Sequence, residues 1–208
     1  MGAAHGTLTY STFYVLDEPP AGFREMFMAA VQKHVFRDID VDGGKDRSIG
    51  WVSLGEPFDT ELAWDKVFVD PYVCLSLRED TIRIPKTAFQ AHLERREKEY
   101  LKKTGRMELK KSERAEVKEM VLTELRKRAL PDIKTFDVVW NTADGTLRLF
   151  TQSKGICESF EEIVRETWGL RLVPRAPYTI LVARSAEGEA LAAQLLDAEP
   201  ADFTRVVE

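Results

Sequence analysis

The hydrophobic period of the chain changes at two prolines, and this change limits the possible folds more than any other feature. Between Pro85 and Pro131, apolar residues recur at every third or fourth position, as on one face of a helix. Gly105 lies inside this segment and lets the chain turn. We therefore predict two helices, one from about Pro85 to Lys103 and one from about Ser112 to Leu130.

The part before Pro85 mixes strand and helix patterns. Alternating residues predict a strand from Thr7 to Leu16, and a strand begins at Ile49 after a polar turn from Asp38 to Arg47. A helix lies between these strands, because apolar residues at helical spacing share one face. These residues are Phe23, Phe27, Ala30, Val31 and His34.

One β-hairpin is predicted on each side of the helical pair. The first pairs Tyr72–Arg78 with Thr81–Ile84 and turns at Glu79-Asp80. The second pairs Thr135–Asn141 with Thr146–Phe150 and turns at Asp144-Gly145, because an Asp-Gly pair supplies the positive φ that such turns need.

The last part of the chain continues with a helix that ends at Gly169, since glycine is the usual residue after a helix. Its inward face consists of Ile156, Phe160, Ile163 and Val164. We expect strands at Leu170–Val173 and Tyr178–Ala183, and a short helix at Glu189–Leu196.

These patterns predict an α+β fold, in which antiparallel β-hairpins pack with helices and a basic helical hairpin projects from them, because no βαβ rhythm is present. We expect three parts: an N-terminal α+β part (1–84), the basic helical hairpin (85–131) and a C-terminal ββαβ-type part (132–208).

The charge of the chain is unevenly distributed. The net charge is −5, yet the segment from Arg95 to Arg128 contains thirteen Lys or Arg residues against seven Glu residues. An acidic body with one basic segment can meet phosphate on a single surface.

The first predicted helix has an apolar face and a basic face. Phe89, Leu93 and Tyr100 fall on one side, and the cations of the other side and of the following connection form a ridge that could reach phosphates. These cations are Arg95, Lys98, Lys102, Lys103, Arg106, Lys110 and Lys111.

The second predicted helix is less clearly basic. Its apolar stripe consists of Val117, Val121, Leu125 and Ala129, and its outer face carries Glu113, Glu116 and Glu119. Arg114, Lys118 and Arg128 border the apolar stripe, where they could cover the core or reach over a partner, and we count them among the expected DNA-binding residues. A solvated hairpin whose charges only confer solubility is the alternative interpretation.

No motif for catalysis, a metal or a cofactor is found. Asp38, Asp40 and Asp42 begin like a calcium loop, but its twelfth position is Ile49, so the bidentate ligand is missing. The histidines (His5, His34 and His92) share no ligand spacing, and Cys74 and Cys157 suit buried reduced thiols. The chain contains neither a secretory signal nor an apolar run of membrane-spanning length, so we expect a cytoplasmic protein without membrane contact.

Several short motifs, in the same order, resemble the recombination-associated RdgC family. They are Ile49-Gly50-Trp51-Val52, Ile84-Pro85, Lys110-Lys111-Ser112-Glu113-Arg114, Lys118-Glu119-x-Val121-Leu122, Leu125-x-x-Arg128-Ala129, and Val139-Trp140 with Asp144-Gly145. The resemblance implies a non-enzymatic, nucleoid-associated homodimer. By this resemblance, the two subunits form a ring that encloses double-stranded DNA without sequence preference. The ring restrains recombinase-driven strand exchange and needs no cofactor.

By the same resemblance, duplex contacts are expected at Lys102, Lys103, Arg106, Lys110 and Lys111, and a dimer contact at Leu130. Longer family members continue with a further C-terminal segment, whereas this sequence stops at Glu208. Whether this chain can form a closed ring is therefore not decided by the sequence. Two alternatives also stay open: a protein-interaction module that docks an acidic partner through the charged hairpin, and a metal-dependent nuclease.

Overall fold

A computed structural model describes residues 2–3, 8–15, 22–184 and 188–197. The described residues form an α+β fold in which every pair of neighbouring strands is antiparallel. The strands are β1 (Ser11–Val15), β2 (Arg47–Val52), β3 (Phe68–Val69), β4 (Tyr72–Thr81), β5 (Asp132–Asn141), β6 (Thr146–Leu149) and β7 (Leu172–Pro174). The helices are α1 (Phe23–Lys33), α2 (Trp64–Val67), α3 (Lys86–Thr104), α4 (Lys111–Arg128), α5 (Lys154–Trp168), α6 (Pro177–Arg184) and α7 (Gly188–Asp197). The predicted fold class is confirmed.

All seven strands belong to one sheet, with the order β2-β4-β5-β6-β1-β7 and β3 beside β4. The sheet therefore takes strands from both outer parts of the chain, 1–84 and 132–208. The three-part division stays a prediction.

The core lies between one face of the sheet and helices α1 and α5. Phe27 of α1 stacks on Trp168 of α5 at 4.7 Å, and Phe160 contacts Phe13 of β1 at 5.7 Å. The Trp51 indole N–H donates to Thr167 Oγ1 at 2.9 Å, which satisfies a buried polar group. Burial of these aromatic side chains is the main source of stability for this layer.

Several expectations from the sequence are confirmed. Helices α3, α4 and α7 lie within one or two residues of their predicted bounds, and α1 and α5 lie where a helix was expected, α5 directly before Gly169. Gly105, Gly145 and Gly169 have φ values of 64°, 70° and 71°, so each adopts the left-handed conformation that ends a helix or closes a hairpin. The strand predicted at Thr7–Leu16 is observed over Ser11–Val15. Thr7, Leu16, His5 and most of the first seven residues, on which the absence of a signal was judged, lie outside the described residues.

The predicted hairpin at Glu79-Asp80 is wrong, because Tyr72–Thr81 is one continuous strand. Both carboxylates are held by arginines: Glu79 pairs with Arg47 at 2.6 Å, and Asp80 receives two hydrogen bonds from Arg78. The Arg78 guanidinium also lies 3.9 Å from the Phe36 ring centre. Two acidic residues that are typical of a turn are thus neutralised inside a strand.

The predicted strand at Tyr178–Ala183 is also wrong, because this segment is helix α6. Pro177 occupies the first helical position, which proline favours, and the Ala176 N–H donates to Thr179 Oγ1 at 3.0 Å. The short elements α2 and β3 were not predicted. Cys74 and Cys157 are free thiols, as expected, but both are partly rather than fully buried.

Candidate nucleic-acid interface

Helices α3 and α4 form the connection between two neighbouring strands. Thr81 at the end of β4 is the register partner of Asp132 at the start of β5. The helical pair therefore leaves and re-enters the sheet at the same end of these two strands. The two helices pack mainly on each other. We call residues 86–128 the helical hairpin; whether it projects from the sheet stays an expectation.

The two helices are joined by a small apolar seam and by ion pairs. Val117 and Val121 of α4 are buried, whereas α3 contains no buried residue. Arg96 of α3 reaches Glu124 of α4 at 2.6 Å, and Arg114 of α4 reaches Glu97 of α3 at 2.8 Å. The Glu124 pKa is lowered, first by the hydrogen bond from Arg96, so this carboxylate stays ionised.

The arginines predicted to bind DNA are all engaged within the helical hairpin. Besides Arg114, these pairs are Arg95–Glu99 (3.1 Å), Arg106–Glu113 (2.8 Å) and Arg128–Glu124 (2.7 Å). Arginine binds carboxylates through a planar fork, which suits it to this cross-linking. The arginine side chains therefore already have partners before any ligand arrives.

Glu113 is not part of an acidic outer face, contrary to the prediction. It lies in the first turn of α4, where its carboxylate accepts a hydrogen bond from the Lys110 backbone N–H at 2.9 Å. This bond, together with Arg106, lowers the pKa of Glu113. Glu116 and Glu119 remain exposed on the outer side of the helix.

The lysines of the helical hairpin behave differently from its arginines. All ten predicted DNA-binding residues are exposed, but the six lysines among them form no ion pair with any described acid. We call these residues the free lysines: Lys98, Lys102, Lys103, Lys110, Lys111 and Lys118. Lys102 and Lys103 lie in the last turn of α3, where the helix dipole favours positive charge. Free, mobile ammonium groups are suited to contacting phosphate at many positions.

Leu130, the predicted dimer contact, is 92% exposed and lies between α4 and β5. An apolar side chain at this exposure is available to a partner. The dimer contact at Leu130 stays a prediction.

Within the part of the chain that the structure describes, no group of three or more His, Cys, Asp or Glu side chains is arranged to hold a metal ion. In the polar turn, Asp42 pairs with Lys127 at 2.7 Å, and Asp40 accepts a hydrogen bond from the Gly43 N–H. These carboxylates do not converge. None of the described helices is both long and apolar enough to cross a bilayer.

Sequence reasoning missed the contacts that join the helical hairpin to the rest of the molecule. Arg126 binds Asp46 at 2.5 Å and 3.1 Å, and Lys127 binds Asp42. Arg126 and Asp46 are separated by 80 residues, so no local sequence pattern predicts this ion pair.

Comparison with protein families matches residues 11–205 to the family described as "RdgC: Putative exonuclease, RdgC". The chain belongs to the RdgC family. RdgC membership confirms the resemblance drawn from the sequence and associates the chain with recombination. The comparison with curated proteins finds no match.

Proposed function

We propose that this RdgC family member binds double-stranded DNA without sequence preference, through the free lysines of its helical hairpin. In this role it restrains recombinase-driven strand exchange as a homodimer associated with the nucleoid in the cytoplasm. The proposal includes neither a catalytic step nor a cofactor.

The observation that carries the proposal is that the arginines of the helical hairpin are engaged in ion pairs, whereas its lysines are not. All four of the predicted arginines form ion pairs with glutamates, whereas the free lysines form no ion pair with a described acid. Contacts from such cations to phosphates provide affinity that does not depend on sequence. Family membership supports the link to recombination.

The family description names an exonuclease, so the test must separate binding from cleavage. A fluorescent duplex of arbitrary sequence is titrated with protein in EDTA and in Mg²⁺, and the DNA is then run on a denaturing gel. We expect binding in both buffers, full-length DNA in both lanes, and equal competition by unlabelled duplexes of different sequence. Shortened DNA in Mg²⁺ would instead support the nuclease, and failure to bind duplex at low salt would leave the protein-interaction module as the better function.

The proposed homodimer is tested by light scattering coupled to gel filtration. We expect the mass of two chains and, because Leu130 is exposed, a shift towards monomer for Leu130→Glu. A monomeric wild-type protein that still binds duplex would contradict the dimer but not the DNA contact.

A further inference from the structure

The helical hairpin meets the sheet through two short connections that lack regular structure. Residues 82–85 lead from β4 into α3, and residues 129–131 lead from α4 into β5. Because α3 and α4 pack mainly on each other, their apolar contacts do little to set the angle between the helical hairpin and the sheet. That angle must depend on the contacts at the two connections.

Asp46 touches the first connection and the last turn of α4 at once. Its backbone carbonyl accepts a hydrogen bond from the Ile82 N–H at 2.8 Å, immediately after β4. Its carboxylate accepts two hydrogen bonds from Arg126 in the last turn of α4, at 2.5 Å and 3.1 Å. The Arg126 side chain is largely buried, and the bond to Asp46 raises its pKa. The Asp46 carboxylate, however, is 53% exposed, so solvent and salt reach the pair from that side.

We propose that Asp46 is a positioning residue that fixes the orientation of the helical hairpin relative to the sheet. Its backbone holds the connection that leads into α3, and its carboxylate holds the end of α4. The neighbouring pair of Lys127 with Asp42 supports the same contact from the adjacent turn.

The orientation matters because the helical hairpin is long, so a small rotation at its base displaces its far end by several ångströms. A helix of the length of α4 spans about 27 Å, so a rotation of about 10° moves its far end by about 5 Å. That displacement exceeds the roughly 3.4 Å axial spacing of phosphates along one DNA strand. Loss of the contact between Asp46 and Arg126 would thus misplace the free lysines, and this consequence alone rests on the proposed function.

The orientation is measured directly, without DNA, by double electron–electron resonance (DEER) spectroscopy, which gives the distribution of distances between two spin labels. Spin labels are placed at Glu108→Cys and Lys154→Cys in the full chain, after Cys74→Ala and Cys157→Ala. We expect one narrow distance distribution with Asp46 present, a broad one for Asp46→Ala, and a narrow one again for the charge swap Asp46→Arg with Arg126→Asp. Asp132→Ala is the matched control, because its carboxylate is 53% exposed, like that of Asp46, but contacts Lys134 instead.

An Asp46→Ala distribution as narrow as that of the wild type would overturn the proposal. If Asp46→Ala loses helicity in circular dichroism, Arg126→Gln and a salt titration of the wild type replace it, since salt weakens the pair without changing the chain. An unchanged width in these measurements also overturns the proposal.

DNA binding gives the second measurement. For Asp46→Ala we expect an affinity loss of about tenfold, if the loosened helical hairpin is correctly placed for about a tenth of the time, with an unchanged salt slope. A shallower slope would mean lost phosphate contacts and would count against positioning. If the wild type binds no duplex, the proposed function fails while the distance measurement still decides the role of Asp46.

Discussion

Neutralising three free lysines of α3 should remove DNA affinity in a predictable amount. Lys98, Lys102 and Lys103 are exposed and have no ion pair with any described acid, and Lys98 and Lys102 lie about 6 Å apart along the helix axis. Each phosphate contact contributes about 0.9 to the slope of log K against log salt. Replacing all three by Gln should therefore make the slope shallower by about 2.7 and weaken binding about 500-fold at 0.1 M salt.

The measurement is fluorescence anisotropy of a duplex at several salt concentrations, with circular dichroism to confirm the fold. Gln and Lys have similar helix propensity, so the melting temperature should stay nearly unchanged. The matched control is the triple change of Lys33, Lys45 and Lys154 to Gln, which alters the net charge equally but lies outside the helical hairpin. Equal losses for both variants, or an unchanged slope for the α3 variant, would refute the reasoning.

Three further predictions concern stability. Asp80→Ala should cost about 3–5 kcal/mol in urea unfolding, because it leaves Arg78, which is 5% exposed, without its carboxylate; a smaller loss from Asp80→Ala than from Arg78→Met would contradict this. Gly50→Ala should cost about 3 kcal/mol, because the new Cβ would overlap the Phe36 backbone; a thermal melt equal to that of the wild type would disprove the overlap. The Glu113 pKa is lowered in the folded state, so its contribution to stability is present above pH ~4.3 and disappears as the pH falls through the folded pKa. Glu113→Gln should flatten that part of the stability profile.

Elements that depend on near neighbours could be predicted from the sequence. The turn at Gly145 and the end of α5 at Gly169 need only a local residue of the right conformation, and both are observed. Some predictions are wrong because a residue distant in sequence changes which secondary structure a segment adopts. Glu79 and Asp80 look like a turn until Arg47 and Arg78 neutralise them within β4. An apolar run as short as Tyr178–Ala183 fits a strand or a helix equally well.

The same distinction applies to the candidate interface. The sequence by itself determined that two helices follow this strand region, that they carry a net positive charge in an otherwise acidic chain, and that the chain resembles the RdgC family. Only the tertiary structure decided which cations are free. Arg114 and Arg96 find glutamates 17 and 28 residues away, and Arg126 finds Asp46 across 80 residues. Helical periodicity and turn chemistry act within about four residues, whereas these three long-range ion pairs depend on distances that exist only after the helices and the sheet have packed.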